Sequence, residues 1–413
     1  NNTASPYDTI DISASTAKNI YAQSLTVEEK AIFKVDGGDL DNIADTSIEN
    51  KGTLVVKSGT VNKTVNDNGG TMDINTAGTV TVGKNVMGTG GTFAVTAGAA
   101  SFTGTAGISG NTIITVAEST TLNMTDSSGN IDGATAKFEN KGTLITGSGD
   151  IKSNLTNSGT AEVKKGIFSG KITNDNTAGG TGIVNIGGTA ATGVDTYGKV
   201  TGEITNTKGT INLTQYGQTT NKITNNATVT ENAIFNVDGG TAGGGITNTK
   251  GTVNLEAGEI KTTAITNADL MNVSGGVLSA KATNSGTINA TGTAGVQALQ
   301  SEITNSKTVN FLGTATLNVA AKVTGGTLNI GSSGNTEGNV TITSNNAAQI
   351  SAGSTTIYNG DKLILTAGTL GGQVDGAGTL EINGNVEVDA DYIKANTNTV
   401  NSGKILSLTD GTI

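Results

Sequence analysis

Apolar and polar residues alternate along most of the chain in short bursts, and each burst ends at a cluster of Asn, Gly, Ser or Lys. The clearest burst is written twice: ITNTKGTINL at 204–213 and ITNTKGTVNL at 246–255 differ only at Ile211 and Val253. Looser copies follow the same plan, among them IENKGTLVV at 48–56, FENKGTLIT at 138–146, LTNSGTAEV at 155–163, ITNADLMNV at 265–273, ATNSGTINA at 282–290 and ITNSKTVNF at 303–311. In each copy an aliphatic residue, a polar residue and Asn precede a short turn. Thr and an apolar–polar–apolar triplet then follow. The triplet has period two, so Ile211 and Leu213 face one side and Asn212 the other. Three to five such residues make a strand, punctuated by turn formers. No stretch carries a convincing helical stripe. The Glu- and Lys-rich TVEEKAIFKVDGG at 26–38 aligns without gaps on TVTENAIFNVDGG at 228–240. The second copy holds β-branched residues and Asn where a helix disfavours them, so both copies read as strand, turn, strand.

The spacing of the copies sets the architecture. Phe138 to Leu155 and Leu155 to Ile172 are each 17 residues, Ile246 to Ile265 is 19, and Ile223 to Ile246 is 23. A period near twenty with variable loops marks a solenoid, because one short strand cannot bury a face alone and a stack of them can. The fold expected is all-β: a right-handed parallel β-helix (β-solenoid) of about twenty coils, each roughly 17–23 residues. A left-handed β-helix needs a strict six-residue period that these coils do not keep. Residues 1–24, which depart from the repeat and carry the only Pro, read as an N-terminal cap with entry strands, and 25–413 as continuous repeats. The alternation runs on through ILSLTDGTI, so the solenoid is expected to continue past residue 413 or to dock there on another subunit.

One Asn recurs at the same place in ten units: Asn50, Asn140, Asn157, Asn174, Asn206, Asn225, Asn248, Asn267, Asn284 and Asn305. Stacked amides can bond in a ladder, and Asn tolerates the left-handed backbone of a turn. A structural ladder is the favoured reading over a polar recognition stripe, on the ground that the turn needs that tolerance.

Composition narrows the core. Gly contributes 61 residues and aromatics 3%, with no Trp, so the interior is expected to be narrow and filled by Val, Ile, Leu and Ala. Disorder fits poorly, because 34% of residues are hydrophobic and they are regularly spaced. The absence of Cys removes disulfides and thiolate chemistry and suits export through an oxidising compartment. No apolar run approaches a membrane span, and no signal peptide opens the sequence.

The ITNTKGT and NSGT units resemble the passenger domains of bacterial autotransporters, including pertactin-like and self-associating adhesins, over nearly the whole chain. The resemblance rests on repeat style and composition. It implies a secreted β-helix, delivered by a membrane β-barrel that is not in this sequence.

Catalytic chemistry finds little support. With neither His nor Cys, the usual nucleophile–base pairs are excluded. All 24 basic residues are Lys, so no guanidinium clamp exists. Strings such as GTGGT at 88–92 are turn glycines with no helix behind them to hold a phosphate. Paired carboxylates for sugar hydrolysis are conceivable at Glu28 with Glu29, Glu381 with Glu387, or Asp389 with Asp391, but solvated surface charge is the plainer reading. Asp36 and Asp238, each in a VDGG string, read as turn residues and not as calcium ligands. Catalytic, metal and cofactor sites are all expected to be absent. A net charge of -10 argues against nucleic acid. The function expected is an extracellular structural or adhesive rod at a bacterial cell surface, with no membrane insertion by this segment. Its partners would be other copies of itself or a host or matrix surface. A filament or surface-layer subunit and a polysaccharide-processing enzyme are the alternatives. With no His, association is expected to change little between pH 6 and 8.

Overall fold

The computed structural model describes residues 9–13, 22–37, 40, 43–133, 137–175, 182–188, 197–227, 232–261, 264–334, 338–388 and 393–408. It is an all-β parallel β-solenoid of about 17 turns, 61% strand and 3% helix. The turn count is close to the expected about twenty. Wider intervals lower it, such as the 32 residues that separate Asn174 from its neighbour Asn206. Two compact units divide the chain, Asn1–Asn221 and Lys222–Ile413.

In the first unit each coil contributes three strands, one to each of three sides. Asp150–Ile151, Asn154–Asn157 and Thr160–Val163 make one coil, and Ile167–Phe168, Ile172–Asn174 and Ile183–Ile186 the next. The pairings between coils are parallel, and stacked positions keep register outside a few bulges such as that at Ser101–Thr103: Ile151 on Phe168, Leu155 on Ile172, Ala161 on Val184. Inward residues therefore stack on inward residues. Leu54, Met72, Phe93, Ile114, Phe138, Leu155, Ile172 and Ile204 form one such column. All are buried. Ile211 and Leu213 are wholly buried and Asn212 between them is half-buried, as period two requires.

The second unit repeats the scheme. Ile246–Lys250, Ile265–Asn267, Ala282–Asn284 and Glu302–Asn305 lie on one side, and Thr252–Ile260, Leu270–Val273, Thr287–Thr291 and Thr308–Leu312 run along the next.

Three features depart from the sequence reading. The core is not purely aliphatic. All seven Phe (33, 93, 102, 138, 168, 235 and 311) are buried, and Phe93 meets Phe102 edge to face with ring centroids 5.5 Å apart. A three-sided coil has room at its centre for a ring where its neighbours carry smaller side chains, and a ring buries more area than any aliphatic. A short helix, Gly292–Ala298, interrupts the second unit. Its GTAGVQA sequence buries Val296 and Ala298, and Gly295 lies so close to the preceding coil that a Cβ would fall 2.2 Å from the Val273 carbonyl oxygen. Finally, copies of the phrase do not all occupy one side. Ser47–Asn50 pairs with Thr64–Asp67, but Lys137–Asn140 pairs with Ile113–Val116 and Asn154–Asn157. The strand that follows the turn in the first copy, Thr53–Val56, belongs to the side that holds the strand before the turn in the second.

At 26–36 the first copy is strand, turn, strand: Thr26–Val27, a turn closed by the Ala31 N–H donating to the Glu28 carbonyl at 3.0 Å, and Ile32–Asp36. Most of the expected cap at 1–24 lies outside the described residues. Its described strand, Thr9–Ser13, pairs in parallel with Ile32–Asp36.

Candidate functional site

The recurrent asparagines lie at or within two residues of strand ends with their side chains turned inward, and all are nearly or fully buried. In the first unit the Asn140 Nδ2 donates to Asn157 Oδ1 at 2.7 Å, Asn157 to Asn174 at 2.8 Å, and Asn174 to Asn206 at 2.9 Å. In the second, Asn225 donates to Asn248 at 3.0 Å, Asn248 to Asn267 at 2.7 Å, Asn267 to Asn284 at 2.7 Å and Asn284 to Asn305 at 2.8 Å. Each amide also reaches backbone carbonyls at the corner. Asn267 donates to the Asp269 and Thr287 oxygens, and Asn284 to those of Gly286 and Thr308. The side chain thus satisfies the carbonyls of its own turn and of the next coil, which would otherwise be buried without donors.

Two corrections follow. Left-handed backbone is not the reason for Asn here: the positive-φ residues other than Gly are Lys30, Ser119 and Tyr216 among the described residues. The amide is selected because, without charge, it accepts at its oxygen and offers two N–H donors at its nitrogen, enough to reach both the next amide and a corner carbonyl, where a hydroxyl has a single hydrogen to give. Asn50 also stands apart from the other nine. Its corner lies on a different side from that of Asn140, and its Nδ2 donates to Asp67 Oδ1 at 2.8 Å. Asp67 sits in VNDNGGT, at the place of Asn50 in IENKGT; aligning those two phrases would have shown it.

A second ladder escaped sequence reasoning. The middle residue of the apolar–polar–apolar triplet stacks on the outside, half-buried. Asn254 donates to Asn236 at 2.8 Å, Asn272 to Asn254 at 3.0 Å, Asn289 to Asn272 at 3.0 Å, Asn310 to Asn289 at 2.7 Å and Asn329 to Asn310 at 2.8 Å. A Thr column, Thr287, Thr308 and Thr327, stands beside it. The first unit has a shorter version, Asn212 to Asn185 at 2.7 Å and Asn185 to Glu162 at 2.6 Å. The signal was present as the invariant N of T-Φ-N-Φ in 252–255, 287–290, 308–311 and 327–330.

The carboxylates proposed for hydrolysis are neutralised in place or lie apart. Glu28 pairs with Lys51 at 3.3 Å and Glu29 with Lys30 at 3.9 Å, all exposed. Glu381 accepts from Lys362 at 3.0 Å and from Asn401 at 2.8 Å, which together hold its carboxyl below the usual range. Glu387 borders a shallow groove with Thr369, Asn385 and Ser407, of which Glu381 is not a part. Asp389 and Asp391 lie outside the described residues. Asp36 accepts from Ser58 at 3.2 Å and borders an open groove with Lys57, Asn75 and Gly78, while Asp238 is exposed within the strand Ala233–Ala242. No group of three or more Asp or Glu fit to hold a metal, and no helix long and apolar enough to cross a membrane, occurs among the described residues. Comparison with protein-family models, with curated proteins and with solved structures finds no match for the chain.

Proposed function

We propose that the chain is a structural, adhesive module that works outside a bacterial cell, presenting its sheet faces to a second copy of itself or to another ordered surface. The observation that carries this reading is the outer asparagine ladder from Asn236 to Asn329 with its Thr neighbours. It is a regular comb of amides and hydroxyls with no charged side chain in its two columns at Thr287, Asn289, Thr308, Asn310, Thr327 and Asn329. The pitch of the comb is the strand spacing, ~4.8 Å, so a second stacked face meets it without mismatch. Contact of this kind sums many weak hydrogen bonds, and its strength grows with the number of coils engaged.

The test is sedimentation of the chain over a wide concentration range. Self-association is expected, and Thr287→Lys with Thr308→Lys is expected to weaken it by about tenfold or more, because like charges would then face each other across the contact. The melting temperature should hold, since both side chains are only half-buried. A chain that stays monomeric at all concentrations would refute contact with a second copy, and an unaltered association in the double variant would refute the outer ladder as the contact face.

A further inference from the structure

Asp67 breaks the chemistry of the ladders at one buried rung. It is fully buried, opposite Asn50 on one coil and Gly88 on the next. Its Oδ1 accepts from Asn50, but its Oδ2 has no hydrogen-bond partner. At the matching place of the phrase on another side of the coil an amide nitrogen donates onward: Asn140 to the Thr160 carbonyl at 2.9 Å, Asn284 to that of Thr308 at 2.9 Å. The Oδ2 of Asp67 lies at the same kind of corner, where a Cβ on Gly91 would come within 2.6 Å of it. A carboxylate cannot donate; a carboxylic acid can. We propose that Asp67 is a proton-operated rung: uncharged, it closes its corner as asparagine does elsewhere, and ionised, it loosens the coils on either side.

The surroundings offer no cation to stabilise the ionised form. The strand Ser47–Asn50 carries Glu49, which takes hydrogen bonds from Asn66 and Asn68. Lys51 at the corner is exposed and pairs with Glu28 on the coil before. Asp73 on the strand Thr71–Val82 accepts from Thr96, and the strand Val86–Gly88 carries no charged group, its nearest being exposed Lys84. Burial pushes the Asp67 carboxyl from 3.8 up to about 6, against the hydrogen bond from Asn50 and the N–H groups of Thr92 and Met72. The folded state therefore binds this proton more tightly than the unfolded chain does. Its stabilising effect is complete below 3.8 and is lost as pH rises through about 6. The window lies below pH 6 to 8, where the lack of His predicts little change.

The test is hydrogen exchange of the backbone amides at 51–53, 68–71 and 89–92, corrected for the intrinsic rate, from pH 3.5 to 7.5. The local opening constant of the native chain should rise by about 100-fold across that range. Asp67→Asn should abolish the rise and hold the corner closed at pH 7.5. Asn157→Asp should create a similar rise around 141–143 and 158–160. Equal pH dependence in the native chain and in Asp67→Asn would overturn the proposal. So would a carboxyl-carbon titration of Asp67 in the folded chain with its midpoint near the ordinary ~3.9.

Discussion

Ile211→Asp is expected to cost about 4 kcal/mol or more, and to lower the melting temperature of the first unit sharply, whereas Asn212→Asp costs only about 1 kcal/mol. Ile211 is wholly buried, stacked on Val184 of the preceding coil, in the column that continues to Ala161. A carboxylate there loses the aliphatic contacts and has neither water nor a cation to meet. The shape of the fold multiplies the damage. Each coil is the floor of the next, so a charge that opens one coil exposes the inward residues of its neighbours. Asn212 lies one residue away, half-buried, and donates to Asn185 at 2.7 Å. Its replacement by Asp removes one partly solvated hydrogen bond. Thermal or denaturant unfolding of the two variants checks the difference, and equal losses would refute the inward and outward assignment.

Asn267→Leu is expected to be the second most damaging of these changes, at about 3 kcal/mol or more, although the two side chains have similar size. The substitution removes the acceptor for Asn248 and the donor for Asn284, together with the bonds to the Asp269 and Thr287 carbonyls. Those partners stay buried, so they bear the full cost of losing water without replacement. On the outer ladder, Asn272→Leu breaks the bonds to Asn254 and from Asn289, but there water can take over, and the loss should be about 1 kcal/mol. Unfolding midpoints for the pair separate the two ladders. If both variants lost the same stability, burial of the inner amides would not be what makes them matter.

The sequence carried the stacking clearly, because a period-two triplet recurs every twenty residues or so. The pattern alone places Ile211 and Leu213 on one face with Asn212 opposite, and both are buried. The inner asparagines were visible as a column for a different reason from the one the structure gives: recurrence marks a position, but only three-dimensional neighbours reveal which buried carbonyls need a donor. Asn50 was grouped with Asn140 because the phrases match. The phrase records a corner and its two strands, not which of three corners it is, and the intervening loops shift it from one to another. The outer ladder was missed because its Asn is also what a solvent-facing strand position commonly holds. The Gly292–Ala298 helix is too short to show a stripe. Asp67 was read over because one carboxylate in a Thr- and Asn-rich chain looks like surface charge until its burial is known.

In the second unit the ITN-type strands of successive coils lie side by side, parallel and in register. A chain without cysteine allows a direct test by pairwise cross-linking. Thr266 is the register partner of Thr283, and Thr283 of Thr304, all on one side of the second unit. Adjacent strands lie ~4.8 Å apart, within the reach of a disulfide, and strands two coils apart lie ~9.6 Å from each other, beyond it. Under mild oxidation Thr266→Cys with Thr283→Cys should therefore cross-link rapidly and almost completely, while Thr266→Cys with Thr304→Cys should remain reduced. Free thiols in the first pair, or equal cross-linking in both, would contradict the stacked solenoid.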